Sequence, residues 1–336
     1  MKTLKEIYQA NEELNYIDSS LYSRYRVKAG LRNDNGTGVK VGLTKICDVI
    51  GYKIVHEKKY NIDGQLIYRG YPINYLVDKQ PKDRIFGFEE VAFLLIFGTL
   101  PTEEQLQEFK DYLLNFKMGP VDLQYETPNI LNALQIEVLK LYAKDPSADT
   151  DDLEERMMKG LNILASIPLF TFSYARNKVF KSYPYPNKSF AENILCMARC
   201  NDQYTFEEAK ILDTLLMVHA DHGGGNNSTF ANVVISSTGT DIYSCISAAI
   251  GSLKGPKHGG ANCKVTNMFK AIFHEVGFTT DESTLKKVAN RLLDKDFFDH
   301  SGLIYGIGHA IYTKSDPRAL LIQQQCERLA KSKGQE

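Results

Sequence analysis

His219-Ala220-Asp221-His222-Gly223-Gly224-Gly225-Asn226-Asn227-Ser228 follows a strongly apolar stretch containing Ile211, Leu212, Leu215, Leu216 and Val218. The three- and four-residue spacing of those apolar side chains predicts a helix, and Thr205-Phe206-Glu207-Glu208 fits a capping box at its start. His219 and His222 are three apart, which would put both on one helix face. The three glycines let the backbone approach a ligand closely. Asn226, Asn227 and Ser228 can cap a following helix, whose free amides suit an anion.

The same signals recur outward from this stretch. Thr102-Glu103-Glu104-Gln105 and Ser189-Phe190-Ala191-Glu192 also fit capping boxes. Apolar spacing predicts helix in Ile130–Leu141 and Met157–Ala165. The acidic run Asp149 to Glu155 reads as a solvated helix start. Pro128, Pro168 and Tyr183-Pro184-Tyr185-Pro186 are expected to punctuate the helices. A helix over Asp241–Leu253 ends at a Gly255-Pro256 turn, and Arg318 to Leu329 reads as one more helix. The first 75 residues look loop- and strand-like, with a turn at Asn33-Asp34-Asn35-Gly36 and a short strand at Leu66 to Tyr71. The fold class expected is therefore mostly α.

Composition limits what such a chain can do. Lys and Arg number 40 against 41 Asp and Glu, a net charge of −1, among 336 residues with 43% hydrophobic content. That is ordinary for a globular protein and too apolar for general disorder. The charge balance speaks against nucleic acid as the main partner. The longest apolar run, Val91 to Phe97, falls far short of a membrane span, and Met1 to Glu13 carries no signal-peptide core. Six cysteines without C-x-x-C pairs suggest reduced thiols and a cytoplasmic location. There is no tryptophan.

Two further histidines sit among glycines. One is in Gly255-Pro256-Lys257-His258-Gly259-Gly260-Ala261-Asn262, where packing offers a poor explanation because glycines supply no side-chain contacts. The other is in Gly306-Ile307-Gly308-His309-Ala310-Ile311-Tyr312, followed by Ser315-Asp316-Pro317-Arg318. Arg318 could grip a carboxylate with two parallel hydrogen bonds. A single such histidine is more often structural than catalytic, but three together favour a site. A zinc site at His219 and His222 with Asp221 is the rival reading; it lacks the H-E-x-x-H pattern and a cysteine pair. Gly36-Thr37-Gly38-Val39-Lys40-Val41-Gly42 has the wrong spacing for a dinucleotide fingerprint.

The three histidine motifs, in this order, resemble those of the citrate synthase family, and Tyr68-Arg69-Gly70-Tyr71-Pro72-Ile73 resembles its N-terminal R-G segment. The resemblance spans essentially the whole chain. It implies a multihelical fold with a large domain over 1–257 and a small domain begun at 258–336, closing over the substrates of a homodimer. It implies condensation of acetyl-CoA, as co-substrate, with oxaloacetate to citrate and CoA, with no cofactor and no metal. His258 would hold the acetyl-CoA carbonyl as the methyl loses its proton. His309 would polarise the ketone of oxaloacetate. His222 and Arg318 would bind oxaloacetate, and the Leu303–Gly308 backbone would line the CoA side.

The motifs alone leave 2-methylcitrate synthase, acting on propionyl-CoA, and a non-catalytic scaffold binding CoA or dicarboxylates as alternatives. The family's aspartate base, further arginines and a late tryptophan motif follow the helix after Arg318. The resemblance therefore implies a chain that stops short of its base, with an incomplete small domain and negligible turnover alone.

Overall fold

The computed structural model describes residues 18, 20–25, 44–56, 58–79, 86–119, 127–256 and 258–335. The predicted turn at Asn33–Gly36, the glycine run Gly36–Gly42 and the N-terminal stretch Met1 to Glu13 lie outside them.

The described chain is mostly helical, as the capping signals imply. A short helix α1 (Ser20–Tyr25) precedes the strands β1 (Cys47–Val55), β2 (Lys58–Tyr68) and β3 (Tyr71–Pro72). The helices α2 (Ile73–Asp78), α3 (Phe88–Phe97), α4 (Glu103–Leu114), α5 (Ile130–Lys144), α6 (Leu153–Arg176) and α7 (Phe190–Arg199) follow. Then come α8 (Phe206–Val218), α9 (Asn227–Ser236), α10 (Ile242–Leu253), α11 (Ala261–Val276), α12 (Glu282–Leu293) and α13 (Pro317–Ser332).

All three expected capping boxes form. The hydroxyls of Thr102, Ser189 and Thr205 accept from the N3 amides, while Gln105, Glu192 and Glu208 reach back to the cap amides. Asn226 caps α9 and Asp152 caps α6 through their side-chain oxygens.

Pro168 does not break the chain. α6 runs through it over 24 residues. A mid-helix proline costs roughly 3 kcal/mol, but Leu161, Ala165, Leu169 and Phe170 on either side are all buried in the main core. Their burial offsets that cost at roughly 1.5–3 kcal/mol for each large side chain.

The expected short strand proves to be half of a long hairpin. β1 and β2 pair antiparallel, from Cys47 opposite Tyr68 to Ile50 opposite Gln65. The register then shifts between Ile50 and Tyr52, and pairing resumes at Tyr52 opposite Asn61. Leu66 and Tyr68 face inward and join the core with Leu76, Val91, Leu94, Leu113, Leu169, Met197 and Met217. The register shift leaves Gly64 free to donate its N–H to Ser315 O at 3.2 Å, so the hairpin becomes a ledge for the loop leading into α13. Nothing in the sequence reading anticipated this pairing.

Asp213 ties α8 to α3. It is fully buried and accepts from the amides of Gly87 (3.0 Å) and Phe88 (2.9 Å). α13 lies along α8 and β2, and Lys333 Nζ reaches Glu208 near the start of α8 at 2.6 Å. α8 thus fixes, at its far end, the loop that carries His222.

Candidate active site

Three loops carry the predicted residues. The first begins where α8 ends, at Val218. His219 is the C-cap, with Nδ1 2.8 Å from Leu215 O, and it is exposed. His222 lies four residues past the helix end. The two histidines therefore do not share a helix face; the helix stops before either side chain could be presented by it. His222 is held from beneath by Tyr68. The Tyr68 hydroxyl accepts from Asp221 N (3.3 Å) and can donate to Met217 O or Asp221 O, each at 3.1 Å. Gly223 has φ +71, and a Cβ there would meet Cys47 O at 3.3 Å. Its freedom thus serves contact with the hairpin rather than with a ligand.

The third loop brings in His309. Its Nδ1 accepts from the amides of Ile311 (3.1 Å) and Tyr312 (3.0 Å). A ring nitrogen that accepts two N–H bonds carries no proton, so the proton is on Nε2, and His309 is a neutral donor. The rings of His309 and His222 meet edge-on with centroids 5.0 Å apart. Tyr312 stacks on His309 at 4.6 Å.

Arg318, at the start of α13, supplies the cation. Its Nε and Nη2 donate to Asp316 Oδ1 and Oδ2 at 3.0 and 2.6 Å, and its carbon Cζ lies 5.8 Å over the Tyr312 ring. No hydrogen bond within the protein engages its Nη1 among the described residues. One edge of the guanidinium is therefore open to a ligand carboxylate.

Charge at this cluster is set by burial. Burial first, then the neighbouring Arg318 and His309 charges, push His222 down to about 4. Burial and Arg318 lower His309 as well. Burial on its own would raise Asp316, yet its ion pair with Arg318 brings it below the ordinary carboxylate range. At neutral pH the cluster holds two neutral imidazoles, one cation and one anion.

This gives a pH prediction. The unfolded chain protonates His222 near the ordinary histidine value, whereas the folded chain resists until about 4. The unfolded state binds more protons in between, so stability falls as pH drops through that window, by roughly 2–3 kcal/mol, and levels off below it. Urea midpoints of wild type and His222→Gln, followed between neutral pH and pH 4, check this; equal slopes would contradict it.

His258 stands apart. No hydrogen bond or ring contact joins it to His222, His309 or Arg318 among the described residues. Its amide donates to Gly255 O at 3.0 Å, and burial lowers its imidazole pKa. The glycines beside it have a packing reason of their own, which the sequence does not show. A Cβ at Gly260 would strike Lys254 O, and one at Gly259 would lie 2.8 Å from the Leu253 side chain. They fold the turn under the end of α10.

Two ring nitrogens, His222 Nε2 and His258 Nδ1, are buried without any hydrogen-bond partner. Such orphaned groups are costly, and a polar ligand would satisfy them. Three of the four predicted side chains thus assemble, and the fourth presents an unsatisfied donor or acceptor elsewhere. Among the described residues, no three His, Cys, Asp or Glu side chains converge as a metal cage. No described helix is long and apolar enough to cross a membrane. Sequence reasoning missed Tyr68 as the support for His222, although it quoted that residue in a motif, and missed Tyr312 beside His309.

A family model described as "Citrate synthase, C-terminal domain" matches residues 33–336. Citrate synthase of Haloferax volcanii is 35% identical over 301 residues, covering 84% of this chain and 74% of that one. 2-Methylcitrate synthase 1 of Corynebacterium glutamicum is 32% identical over 277 residues, covering 79% and 68%. In solved structures, the ternary complex of carboxymethyl coenzyme A and oxaloacetate with the Thermoplasma acidophilum citrate synthase superposes with a TM-score of 0.66. It is 22% identical and covers 88% of this chain and 72% of that one.

Proposed function

The chain belongs to the citrate synthase family, and from that membership we propose that it serves the condensation of acetyl-CoA with oxaloacetate. The observation that carries the proposal is the tautomer of His309, a neutral Nε2–H donor beside Arg318 and the unsatisfied His222.

Arg318 grips a carboxylate of oxaloacetate, sharing its fork with Asp316 or leaving it. His309 donates to the ketone oxygen and draws charge from the carbon to be attacked. His222 donates or accepts through the ring nitrogen that the protein leaves unpaired. His258 donates to the thioester carbonyl as the acetyl methyl loses a proton, holding the enolate oxygen. The enolate carbon then bonds to the ketone carbon, and the new alkoxide takes a proton with help from His309. Water cleaves the thioester, releasing CoA and citrate. Neutral imidazoles suit both carbonyls, because a donor is needed there while a fixed charge would compete with Arg318 for the substrate.

The proton on the methyl group needs a base. The two carboxylates bordering the site are already engaged, Asp316 by Arg318 and Asp221 by the Gly223 amide at 3.0 Å. On this reading the described site binds oxaloacetate yet turns over slowly, since a positioned base is typically worth ~10²–10⁴-fold. An assay of thiol release from acetyl-CoA with oxaloacetate tests it. Little release together with measurable oxaloacetate binding is expected. Near-normal release would overturn the assignment of the base outside this site, and failure to bind oxaloacetate would overturn the function.

The 32% identity to a 2-methylcitrate synthase supports a second reading, propionyl-CoA in place of acetyl-CoA. Titrating the oxaloacetate-loaded protein with each thioester separates the two.

We also propose a homodimer in a cytosolic setting. Phe269 and Phe273 lie one turn apart on α11 and are 61% and 58% exposed, while Ile136, Leu139 and Tyr142 form an exposed stripe on α5. Exposed apolar faces of this kind mark interfaces. Sedimentation at twice the 38.0 kDa chain mass is expected; a single-chain mass at micromolar concentration would contradict it.

A further inference from the structure

We propose that Tyr312 is a positioning residue for His309, transferring to that imidazole the rigidity of the β1–β2 hairpin. The two residues are three apart on a non-helical loop, so their stacking is not imposed by helical spacing. Three independent contacts fix the arrangement. The Tyr312 amide donates to His309 Nδ1 at 3.0 Å. Its ring lies nearly parallel to the imidazole, 25° between planes and 4.6 Å between centroids. Its hydroxyl donates to Gln65 O of β2 at 3.0 Å, across 247 residues of sequence.

The hairpin accommodates this loop closely. A Cβ at Gly64 would meet Tyr312 Cδ1 at 2.6 Å and also collide with Ser315 O; one at Gly51 would collide with Ile311 O. Neither glycine has a positive φ, so their role is space, not conformation. Ser315 Oγ adds a hydrogen bond to Asp63 at 3.2 Å. Tyr312 is only 5% exposed, and its ring also meets His222 edge-on at 5.8 Å.

The hairpin therefore supports both histidines. Tyr68 in β2 fixes the His222 loop, and Tyr312, resting on Gln65 three residues earlier in that strand, fixes the His309 ring. The separation of the two imidazoles is set by one strand, β2. An aromatic plane anchored at its far end resists both tilt and rotation of the ring it covers. A hydrogen bond to Nδ1 alone would leave rotation about that bond unopposed.

The consequence for oxaloacetate rests on the function proposed above; the geometry of the ring does not. The test uses Tyr312→Phe, which keeps the plane and loses the anchor, and Tyr312→Leu, which loses both. Two readings are taken at once: the titration of the His309 ring by NMR of its ¹³Cε1, and the dissociation constant for oxaloacetate by calorimetry. We expect Tyr312→Phe to leave the His309 titration depressed and weaken oxaloacetate about threefold to tenfold, the scale of one neutral hydrogen bond. Tyr312→Leu should raise the His309 titration toward the ordinary histidine value and weaken oxaloacetate by more than about tenfold.

Unchanged titration and unchanged affinity in Tyr312→Leu would overturn the proposal. Should Tyr312→Leu fail to fold, Tyr312→Phe with unaltered oxaloacetate affinity would overturn it alone. If the wild type binds no oxaloacetate, the functional reading fails, and the His309 titration still decides the role of Tyr312.

Discussion

Replacing Arg318 with alanine should weaken oxaloacetate binding by at least about a hundredfold. Arg318 is the cation of the cluster, and its unpaired Nη1 edge is where an incoming carboxylate can bond without first breaking a contact. Removing one partner of a desolvated charged hydrogen bond costs about 2–5 kcal/mol, and each 1.4 kcal/mol is about tenfold. Asp316 complicates the reading, because Arg318→Ala leaves that carboxylate partly buried without its 2.6 Å partner. The double variant Asp316→Asn with Arg318→Ala separates the two effects: fold stability should recover while binding does not. Arg318→Lys should fall between, since an ammonium keeps the charge but loses the planar fork. Calorimetric titration of oxaloacetate into the four proteins measures this; Arg318→Ala within threefold of wild type would remove Arg318 from the binding account.

The second large effect concerns stability. Asp213→Ala should cost about 3 kcal/mol in urea unfolding at neutral pH. The carboxylate is wholly buried and accepts the first amides of α3, from Gly87 and Phe88, with Lys210 Nζ at 3.4 Å. Deleting it orphans two buried donors, at about 1–3 kcal/mol each, and opens a cavity. One relief works the other way. Burial, and then the nearby Asp213 charge, raise the carboxyl of Glu89, so its removal lets Glu89 ionise more easily. The relief is the smaller effect, because Glu89 keeps its own bond from Phe190 N at 2.8 Å. Asp213→Asn, which retains one acceptor oxygen, should lose less. A loss under about 1 kcal/mol in Asp213→Ala would mean that water satisfies those amides. Since the hydrogen bonds of Asp213 go to the start of α3 and not to the His222 loop, the variant that remains folded should bind oxaloacetate nearly as well as wild type.

Much of the helical frame was legible because its signals are local. A hydroxyl with a glutamine or glutamate three residues on, at Thr102, Ser189 and Thr205, defines helix starts whatever the tertiary structure does. Pro168 misled for the complementary reason: its penalty is local, while the burial that overrides it comes from residues distant in sequence. The hairpin was half seen. Leu66–Tyr71 has strand character, but its partner Cys47–Val55 contains Gly51 and Asp48 and pairs through a register shift that composition does not reveal.

The site divides in the same way. The glycine-flanked histidines stand out as a pattern, and His222, His309 and Arg318 do converge. Their support does not stand out, because Tyr68 and Tyr312 act through contacts spanning 149 to 247 residues. His219 was assigned to a shared helix face with His222 by counting residues along a helix that ends at Val218. The reason for the glycines next to His258 was not legible, since a sequence cannot show that Leu253 and Lys254 occupy the space where a Cβ would go.

Neutral imidazoles beside one arginine are the centre of this account, and calorimetry reads that state directly. Oxaloacetate is titrated into the protein at pH 7 in two buffers of different ionisation enthalpy, which reports both affinity and proton exchange on binding. The prediction is a single class of sites with no net proton uptake, because His222 and His309 bind as neutral imidazoles and Arg318 already carries the charge. Uptake of about one proton for each oxaloacetate bound would contradict it, and so would the absence of binding.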